Sequence, residues 1–308
     1  MRYLKYLIYL SPILIFTVWS IKKDLSKNAL GTKSNPIKFY FTPSVDSKTI
    51  TSNAKELMDF LQKETGYYFE TAVPASYIAV IEAFGTDKAD ICILNTFSYL
   101  LGHKKYGIEA KLRLVRVGGE TTFKSQIITR YDSGIKTLED LNGKKFAFVD
   151  PSSTTGYVLP KALLIKHHIK PAEEVFAMKH DNVVTMVYQK QVDAGATYYS
   201  SPDPETGEIQ DARVRVKKQF PDVEKVVKII AFTEETPNDL VVFRKNMPED
   251  MKNKIADALI KFVQTPHGKE SLRKIYSIIG FIKTTDADYD KLRETIVKSG
   301  ISLESVIK

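Results

Sequence analysis

Four consecutive hydroxyl residues, Ser152 to Thr155, carry the most specific chemistry in this 308-residue sequence. They follow the run Lys145–Val149, which predicts a strand, and they precede Gly156 and a helical pattern over residues 157–168. Their hydroxyl groups therefore lie beside the unpaired N–H groups of a helix N-terminus, where the helix dipole is positive. Such a junction favours a tetrahedral oxyanion. The alternative is that one of these serines only caps the helix.

Patterns for catalysis or metal binding are missing from the sequence. There is no Gly-x-Ser-x-Gly nucleophile elbow and no Walker loop, so we expect no hydrolase, no NTPase and no cofactor. His167 and His168 are adjacent on a predicted helix and point about 100° apart, so they cannot share a metal. His180 follows a predicted strand end, where α/β proteins usually place binding residues. The alternative for His180 is a solvated loop residue.

The overall composition excludes other classes of protein. The formal charge is +8, but basic and acidic residues alternate and no dense basic block with interleaved aromatics occurs, which argues against nucleic-acid binding. A modest positive excess still helps to steer a small anion into a cleft. The single cysteine, Cys92, lies in the apolar run Ile91–Leu94, so we expect a buried thiol and no intrachain disulfide.

The N-terminus has the layout of a targeting segment. Two basic residues precede an uncharged stretch from Tyr6 to Ile21, which Lys22 and Lys23 close. These positions span roughly 24 Å as a helix, less than the ~30 Å hydrocarbon core. Residues 1–21 are therefore expected to be a secretory signal peptide or an uncleaved membrane anchor, with a linker over residues 22–36. Either form places the protein body in the periplasm or another extracytoplasmic space.

The rest of the chain alternates strands and helices in the βα manner. Breaks at residues 130–134 and 234–238 predict that a second lobe, residues 130–237, is inserted into a first lobe formed by residues 37–129 and 238–308. Each lobe would be a mixed sheet flanked by helices, joined to the other by two crossing segments. Residues 201–221 are expected to be a surface excursion, and three amphipathic helices are expected to end the chain. Ligands of such α/β folds bind in the crevice at the strand ends.

With these elements in place, the chain resembles the phosphonate-binding proteins of ABC importers, together with relatives that bind phosphite and phosphate-like anions. The resemblance covers about residues 36–300. It is carried by four segments in the family's order, namely Ala75–Ala79, Asp150–Gly156, Val192–Ala196 and Pro237–Lys245. The second of these is close to the family's Asp-Pro-x-Ser-Thr-Ser-Gly motif. The resemblance implies a venus-flytrap fold that closes on its ligand.

The resemblance also implies site residues. Ser153, Thr154 and Thr155 would hold the phosphorus oxyanion, and Tyr77 would reach across from the first lobe. His180 would lie at the cleft edge of the second lobe. Asp239 would contact a polar group of the ligand.

This sequence departs from the family pattern at several of its site positions. Phe123 stands where some members have a second anion-binding tyrosine, and Tyr198-Tyr199 stand where amine-binding members have an acidic residue. Asn95-Thr96 replace a more usual glycine pair. Further candidates for ligand contact are Asn95, Thr96, Phe123, Ser125 and Tyr199. With Asp239 as the remaining carboxylate, we expect phosphite, phosphate or a small alkylphosphonate to be preferred over aminoethylphosphonate.

Taken together, the sequence predicts an extracytoplasmic solute-binding protein that has no enzymatic activity. It would be a monomer that captures a small phosphorus oxyanion by lobe closure and delivers it to an ABC permease and its ATPase. Contact with the membrane would be made through the N-terminal segment. The alternative is a membrane-tethered sensor module of the same fold that signals to a separate partner protein.

Overall fold

The computed structural model describes residues 29–44 and 46–301, and these residues form two mixed β-sheets with helices packed on them. The strands are β1 (Ile37–Phe41), β2 (Phe69–Ala72), β3 (Ile91–Leu94), β4 (Glu109–Arg116), β5 (Thr122–Arg130), β6 (Lys145–Phe148), β7 (Glu173–Phe176), β8 (Ala194–Tyr199), β9 (Val227–Phe232), β10 (Thr236–Pro237), β11 (Leu240–Phe243) and β12 (Ile278–Lys283). The helices are α1 (Ser47–Thr65), α2 (Tyr77–Gly85), α3 (Thr96–Tyr106), α4 (Leu159–Lys166), α5 (His180–Tyr188), α6 (Val223–Val226), α7 (Glu249–Gln264), α8 (Pro266–Tyr276) and α9 (Asp290–Lys298).

Each sheet belongs to one lobe. The first sheet has the order β12-β4-β11-β3-β1-β2, with β1 parallel to β2 and β3, and with β11 and β12 antiparallel to their neighbours. The second has the order β10-β5-β8-β6-β7, and β9 also pairs with β5. Two short segments connect the sheets, residues 117–121 after β4 and residues 238–239 before β11. The protein is therefore two-lobed, and both connections leave the first sheet from neighbouring strands.

The structure corrects three sequence predictions. β5 lies in the second sheet, because its hydrogen bonds go to β8 and β9, so the first crossing precedes residue 122 and does not follow residue 129. The last part of the chain contains β12 between two helices: Ser277 has a φ of +58° and ends α8, and the next residues pair with β4. In the predicted linker, residues 29–36 pack on the first lobe, where Tyr68 donates its N–H to the Gly31 carbonyl.

Some predictions concern residues that the structure does not describe. The predicted signal peptide or anchor at residues 1–21 lies outside the described residues. Within residues 29–44 and 46–301, no helix is long and apolar enough to cross a bilayer. Cys92 lies in β3 as a buried free thiol, as predicted.

Four helix N-termini face the crevice between the lobes. In the first lobe, α2 begins at Tyr77 and α3 is capped by Asn95; in the second, α5 begins at His180. The fourth start is a wide π-type turn, Thr154–Val158, which leads into α4. Because each start leaves N–H groups without intrahelical acceptors and carries the positive end of a helix dipole, the crevice has a positive potential.

Candidate functional site

A cavity of about 30 Å³ lies in this crevice. Its volume suits a compact ion of few heavy atoms. Both lobes supply the lining, and most of it is polar or aromatic. The lining side chains are Thr42, Ser44, Tyr77, Ile93, Leu94, Asn95, Arg116, Asp239 and Tyr276 from the first lobe, and Phe123, Ser153, Thr154, Thr155, His180, Tyr198 and Arg215 from the second.

Ser153 has two roles that the sequence presented as alternatives. Its Oγ accepts the N–H of Gly156 at 3.1 Å and so caps the turn that leads into α4. Accepting that bond does not use the hydroxyl proton, and the side chain lines the cavity close to the Tyr77 phenol. The turn is held close to β6: a Cβ at Gly156 would lie 2.4 Å from Val149, so the motif requires glycine at this position. Capping and anion binding are therefore compatible in Ser153.

The Thr154 hydroxyl is committed to the other lobe. It donates to Asn95 Oδ1 at 2.8 Å, and it accepts the Phe97 N–H at 2.9 Å and the Thr96 hydroxyl at 3.0 Å. Since a hydroxyl has one proton and two lone pairs, these three bonds leave it with nothing to offer a ligand. The expectation that this hydroxyl holds the oxyanion therefore requires correction: Thr154 joins the lobes. The backbone N–H groups of Thr154 and Thr155 begin the turn and have no intrahelical acceptors.

Tyr77 brings an unsatisfied hydroxyl into the cavity from the first lobe. Its side chain is 2% exposed, and its Oη has no hydrogen-bond partner among the described residues. Burial, together with the nearby carboxylates of Asp150 and Asp239, raises the pKa of the phenol well above its usual value of 10.0. The group therefore stays protonated and serves as a hydrogen-bond donor. A buried donor that has no acceptor is costly unless a ligand supplies one.

His180 is buried and uncharged. Burial, and then the charges of Arg215 and Arg116, hold its pKa well below the usual 6.5. Its Nδ1 lies 2.7 Å from the Thr197 hydroxyl and accepts the N–H of Tyr198 at 3.4 Å. Because Nδ1 is an acceptor, the proton of the neutral ring is on Nε2. His180 can thus present a neutral N–H donor to the cavity that it lines.

Arg116 and Asp239 form an ion pair at the junction of the two connecting segments. Arg116 Nη2 donates to Asp239 Oδ2 at 2.7 Å, and the side chains are 6% and 18% exposed. Burial raises the pKa of Asp239, and the Arg116 guanidinium opposes that rise. Each partner can form a further hydrogen bond, because Arg116 Nε and Asp239 Oδ1 are buried and have no hydrogen-bond partner among the described residues. One free donor and one free acceptor therefore lie next to the cavity.

Arg215 and Tyr198 are among the polar lining residues that sequence reasoning missed. Arg215 lies on a 3₁₀ turn, Ala212–Val216, within the segment that we predicted to be a surface excursion. Tyr198 lines the cavity and packs edge-on against His180, with ring centroids 5.0 Å apart. The sequence did contain a signal for Tyr198. Because adjacent residues of a strand point to opposite faces of the sheet, only one of Tyr198 and Tyr199 could face the cleft. Nothing in the sequence singled out Arg116 or Arg215.

Three candidate positions lie outside the cavity lining. The Ser125 hydroxyl is fully buried and donates to the Thr155 carbonyl at 2.5 Å, so it positions the loop of four hydroxyl residues, Ser152 to Thr155. Thr96 supports Thr154 in the contact between lobes. Tyr199 packs against Phe232 on the opposite face of β8 and is not a lining residue. Two other candidates, Asn95 and Phe123, do line the cavity.

The chemistry of the cavity is that of an anion site. Its donors are the Tyr77 phenol, the Ser153 hydroxyl, the His180 N–H, backbone N–H groups of a helix start, and two guanidinium groups. These donors outnumber the acceptors, of which the charged one without a hydrogen-bond partner among the described residues is Asp239 Oδ1. Such an excess of converging donors suits a tetrahedral oxyanion, which has only acceptor oxygens apart from any P–OH group.

The chain is similar to known binding proteins over most of its length. Residues 39–289 match the family model described as the periplasmic substrate-binding protein of phosphonate ABC transporters. The phosphonates-binding periplasmic protein of Escherichia coli K12 is 23% identical over 270 residues, which are 85% of this chain and 77% of that protein. The family expected from the sequence motifs is therefore confirmed.

Solved structures show the same fold. The binding-protein component of a phosphonate ABC transporter from Pseudomonas aeruginosa is similar with a TM-score of 0.75 at 22% identity, over 86% of this chain and 87% of that chain. PhnD1 of Prochlorococcus marinus, solved in complex with methylphosphonate, has a TM-score of 0.71 at 16% identity, over 86% of this chain and 98% of that chain. The expected two-lobed venus-flytrap fold is confirmed by these likenesses.

Proposed function

The chain belongs to the periplasmic substrate-binding proteins of phosphonate ABC transporters, and we propose that it captures a compact phosphorus oxyanion in the cavity between its lobes. The ligand would be phosphite, phosphate or a small alkylphosphonate, bound reversibly and without turnover, and passed to an ABC permease and its ATPase. The observation that carries this proposal is the convergence of buried donors without acceptors, above all the Tyr77 hydroxyl, on a cavity of about 30 Å³.

We assign the ligand contacts from the geometry of the donors. Ser153 would donate its hydroxyl proton, and the N–H groups of Thr154 and Thr155 would bind a second oxygen. Tyr77 and His180 would donate from opposite lobes, so that the bound anion stabilises the closed arrangement. Arg116 would supply charge, and Asp239 would hold its guanidinium in place at 2.7 Å. Charge-assisted hydrogen bonds of this kind are about twice as strong as neutral ones.

Binding of a phosphorus oxyanion can be tested by ligand-induced stabilisation. A ligand that binds only the folded state adds about 2.7 kcal/mol at a hundredfold excess over Kd. We expect the melting temperature to rise with phosphate, phosphite or methylphosphonate. The Tyr77→Phe variant, which lacks only the phenol oxygen, should show a smaller rise. If no phosphorus compound stabilises the protein, the assignment is wrong.

We further propose that the protein is a monomer held at the cytoplasmic membrane by residues 1–21, or released after their removal. The sequence of that segment, with basic residues on both sides of an uncharged stretch, supports the proposed location. Fractionation of the native cell, with mass spectrometry of the N-terminus, distinguishes the two forms. Recovery of the intact chain from the cytoplasm would contradict both. A tethered sensor would share the ligand, but loss of the gene would leave uptake of that ligand unchanged.

A further inference from the structure

Arg215 forms part of the wall between the ligand cavity and the outside of the cleft. It lines the cavity of about 30 Å³ and also a polar cavity of about 310 Å³ next to it. Tyr198 is the other residue that lines both. The guanidinium carbon lies 4.9 Å from the Tyr198 ring centroid, and Nε donates to the Tyr198 hydroxyl at 2.8 Å. The side chain is thus held in one orientation by its own lobe.

Arg215 also connects the two lobes. Its Nη1 donates to the Ser44 carbonyl at 2.9 Å, and Ser44 follows β1 in the first lobe. The two residues are 171 positions apart in the chain. Because this bond joins a second-lobe side chain to a first-lobe backbone, separation of the lobes would break it. The bond therefore belongs to the closed arrangement.

The guanidinium has capacity left for a ligand. Nε and Nη1 are occupied, whereas Nη2 has no hydrogen-bond partner within the described part of the chain, and no carboxylate there forms an ion pair with Arg215. Its charge acts on the cavity, since it contributes to the lowered pKa of His180. A partly buried guanidinium without a counter-ion, beside a cavity full of donors, is suited to an anion.

We propose that Arg215 couples anion binding to lobe closure by binding the ligand through Nη2 while Nη1 holds the Ser44 carbonyl. The bound anion fixes the guanidinium in the position that reaches Ser44, so it binds the closed arrangement more tightly than the open one and shifts the population toward it. A cationic substituent on the ligand would lie next to this permanent positive charge, so aminoalkyl phosphonates are disfavoured. This inference rests on the proposed function, because it takes the ligand to be a phosphorus oxyanion.

The test compares three variants of the full chain with the wild type. Arg215→Gln removes the charge, and Arg215→Lys keeps the charge but lacks the two separate nitrogens that would reach Ser44 and the ligand at once. Arg273→Gln is the matched control, because Arg273 also bridges the lobes, to Asp203 at 2.7 Å, but does not line the ligand cavity. Affinity for phosphate, methylphosphonate, aminoethylphosphonate and sulfate would be measured by calorimetry. Closure would be measured as the fall in radius of gyration by X-ray scattering at saturating ligand.

Arg215→Gln should lose about 10- to 150-fold in affinity for methylphosphonate, the value of one charged hydrogen bond. It should also compact less than the wild type even at saturation. Arg215→Lys should recover part of the affinity but not the compaction, and Arg273→Gln should keep wild-type affinity within about threefold. Wild-type affinity and compaction in Arg215→Gln would overturn the proposal.

The proposed function can fail separately. If the wild type binds sulfate but no phosphorus compound, and Arg215→Gln loses sulfate, the coupling stands and the assigned ligand is wrong. If methylphosphonate binds equally to the wild type and to both Arg215 variants, the ligand stands and the coupling is wrong. If none of the four anions binds, both the assigned ligand and the coupling are wrong. Melting of the unliganded variants checks their folding, and Arg215→Lys carries the test if Arg215→Gln is unstable.

Discussion

Arg116 and Asp239 bind each other at 2.7 Å directly beside the two segments that join the lobes. Arg116 ends β4 just before the first connection, and Asp239 is the last residue of the second connection, directly before β11. The backbone is tied at the same place, since the Leu114 N–H donates to the Asp239 carbonyl. The hinge and the ligand cavity thus share one ion pair, and a change in either partner should affect both stability and binding.

Replacement of Asp239 by alanine should lower the free energy of unfolding by about 3–5 kcal/mol, because it leaves the nearly buried Arg116 charge without a partner. A bound anion can replace the lost carboxylate, and sulfate has no proton that Asp239 could bind, so sulfate should stabilise Asp239→Ala more than it stabilises the wild type. Chemical denaturation with and without sulfate measures both effects. Asp59→Ala is the control, because it breaks an exposed pair with Lys55 and should cost less than about 0.5 kcal/mol. Equal ligand stabilisation in Asp239→Ala and the wild type would contradict the shared pair.

Ser153 and Thr154 are neighbours in sequence but should respond differently to substitution. Ser153→Ala should weaken anion binding by about 1.5–3 kcal/mol and the unliganded fold by about 1 kcal/mol, through the lost cap. Thr154→Ala loses three bonds to the other lobe, so it should reduce compaction on ligand binding. Calorimetry and X-ray scattering separate the two effects. Loss of affinity with normal compaction in Thr154→Ala would instead indicate direct ligand contact by its hydroxyl.

His180 should make the fold sensitive to acid. Its pKa is well below 6.5 in the folded protein, so the unfolded chain takes up a proton that the folded chain refuses as the pH falls. The stability linked to His180 is therefore complete above about pH 6.5 and is lost as the pH falls below it. Between pH 6.5 and 5 the loss should approach about 2 kcal/mol at most. Urea denaturation at a series of pH values should show this loss in the wild type and a smaller one in His180→Asn. Parallel curves would show that His180 titrates normally.

The sequence predicted the parts of the fold and site that depend on local pattern. The apolar run Ile91–Leu94 coincides with β3, and the predicted strand Lys145–Val149 coincides with β6 to within one residue, since buried strands differ plainly from their surroundings. The hydroxyl residues 152–155 and His180 were placed in the cleft because helix starts and strand ends meet there, and Tyr77 was placed there by the resemblance to the family. Arg116 and Arg215 were missed because their roles depend on partners over 100 residues away, Asp239 and Ser44. β12 was missed although its residues, Ile278–Lys283, are rich in isoleucine and phenylalanine, because only its pairing with β4 distinguishes it from a buried helical segment.

The unsatisfied Asp239 Oδ1 should give the site a preference for an anion that carries a proton. A buried carboxylate oxygen without a donor is costly, and a P–OH group can donate to it. Sulfate has no such proton near neutral pH, so it should bind at least about tenfold more weakly than phosphate, or by about 1.4 kcal/mol. Binding of phosphate should also weaken as the pH rises through its second ionisation.

The other titratable groups that face the ligand do not obscure this dependence. The lowered pKa of His180 keeps it neutral, and the raised pKa of Tyr77 keeps it protonated. Asp239→Asn can donate through its amide, so it should narrow the gap between phosphate and sulfate and flatten the pH profile. Calorimetry with both anions from pH 5.5 to 8.5 measures these effects. If sulfate binds the wild type as tightly as phosphate does, Asp239 does not accept a hydrogen bond from the ligand. The same conclusion follows if Asp239→Asn keeps the full pH dependence.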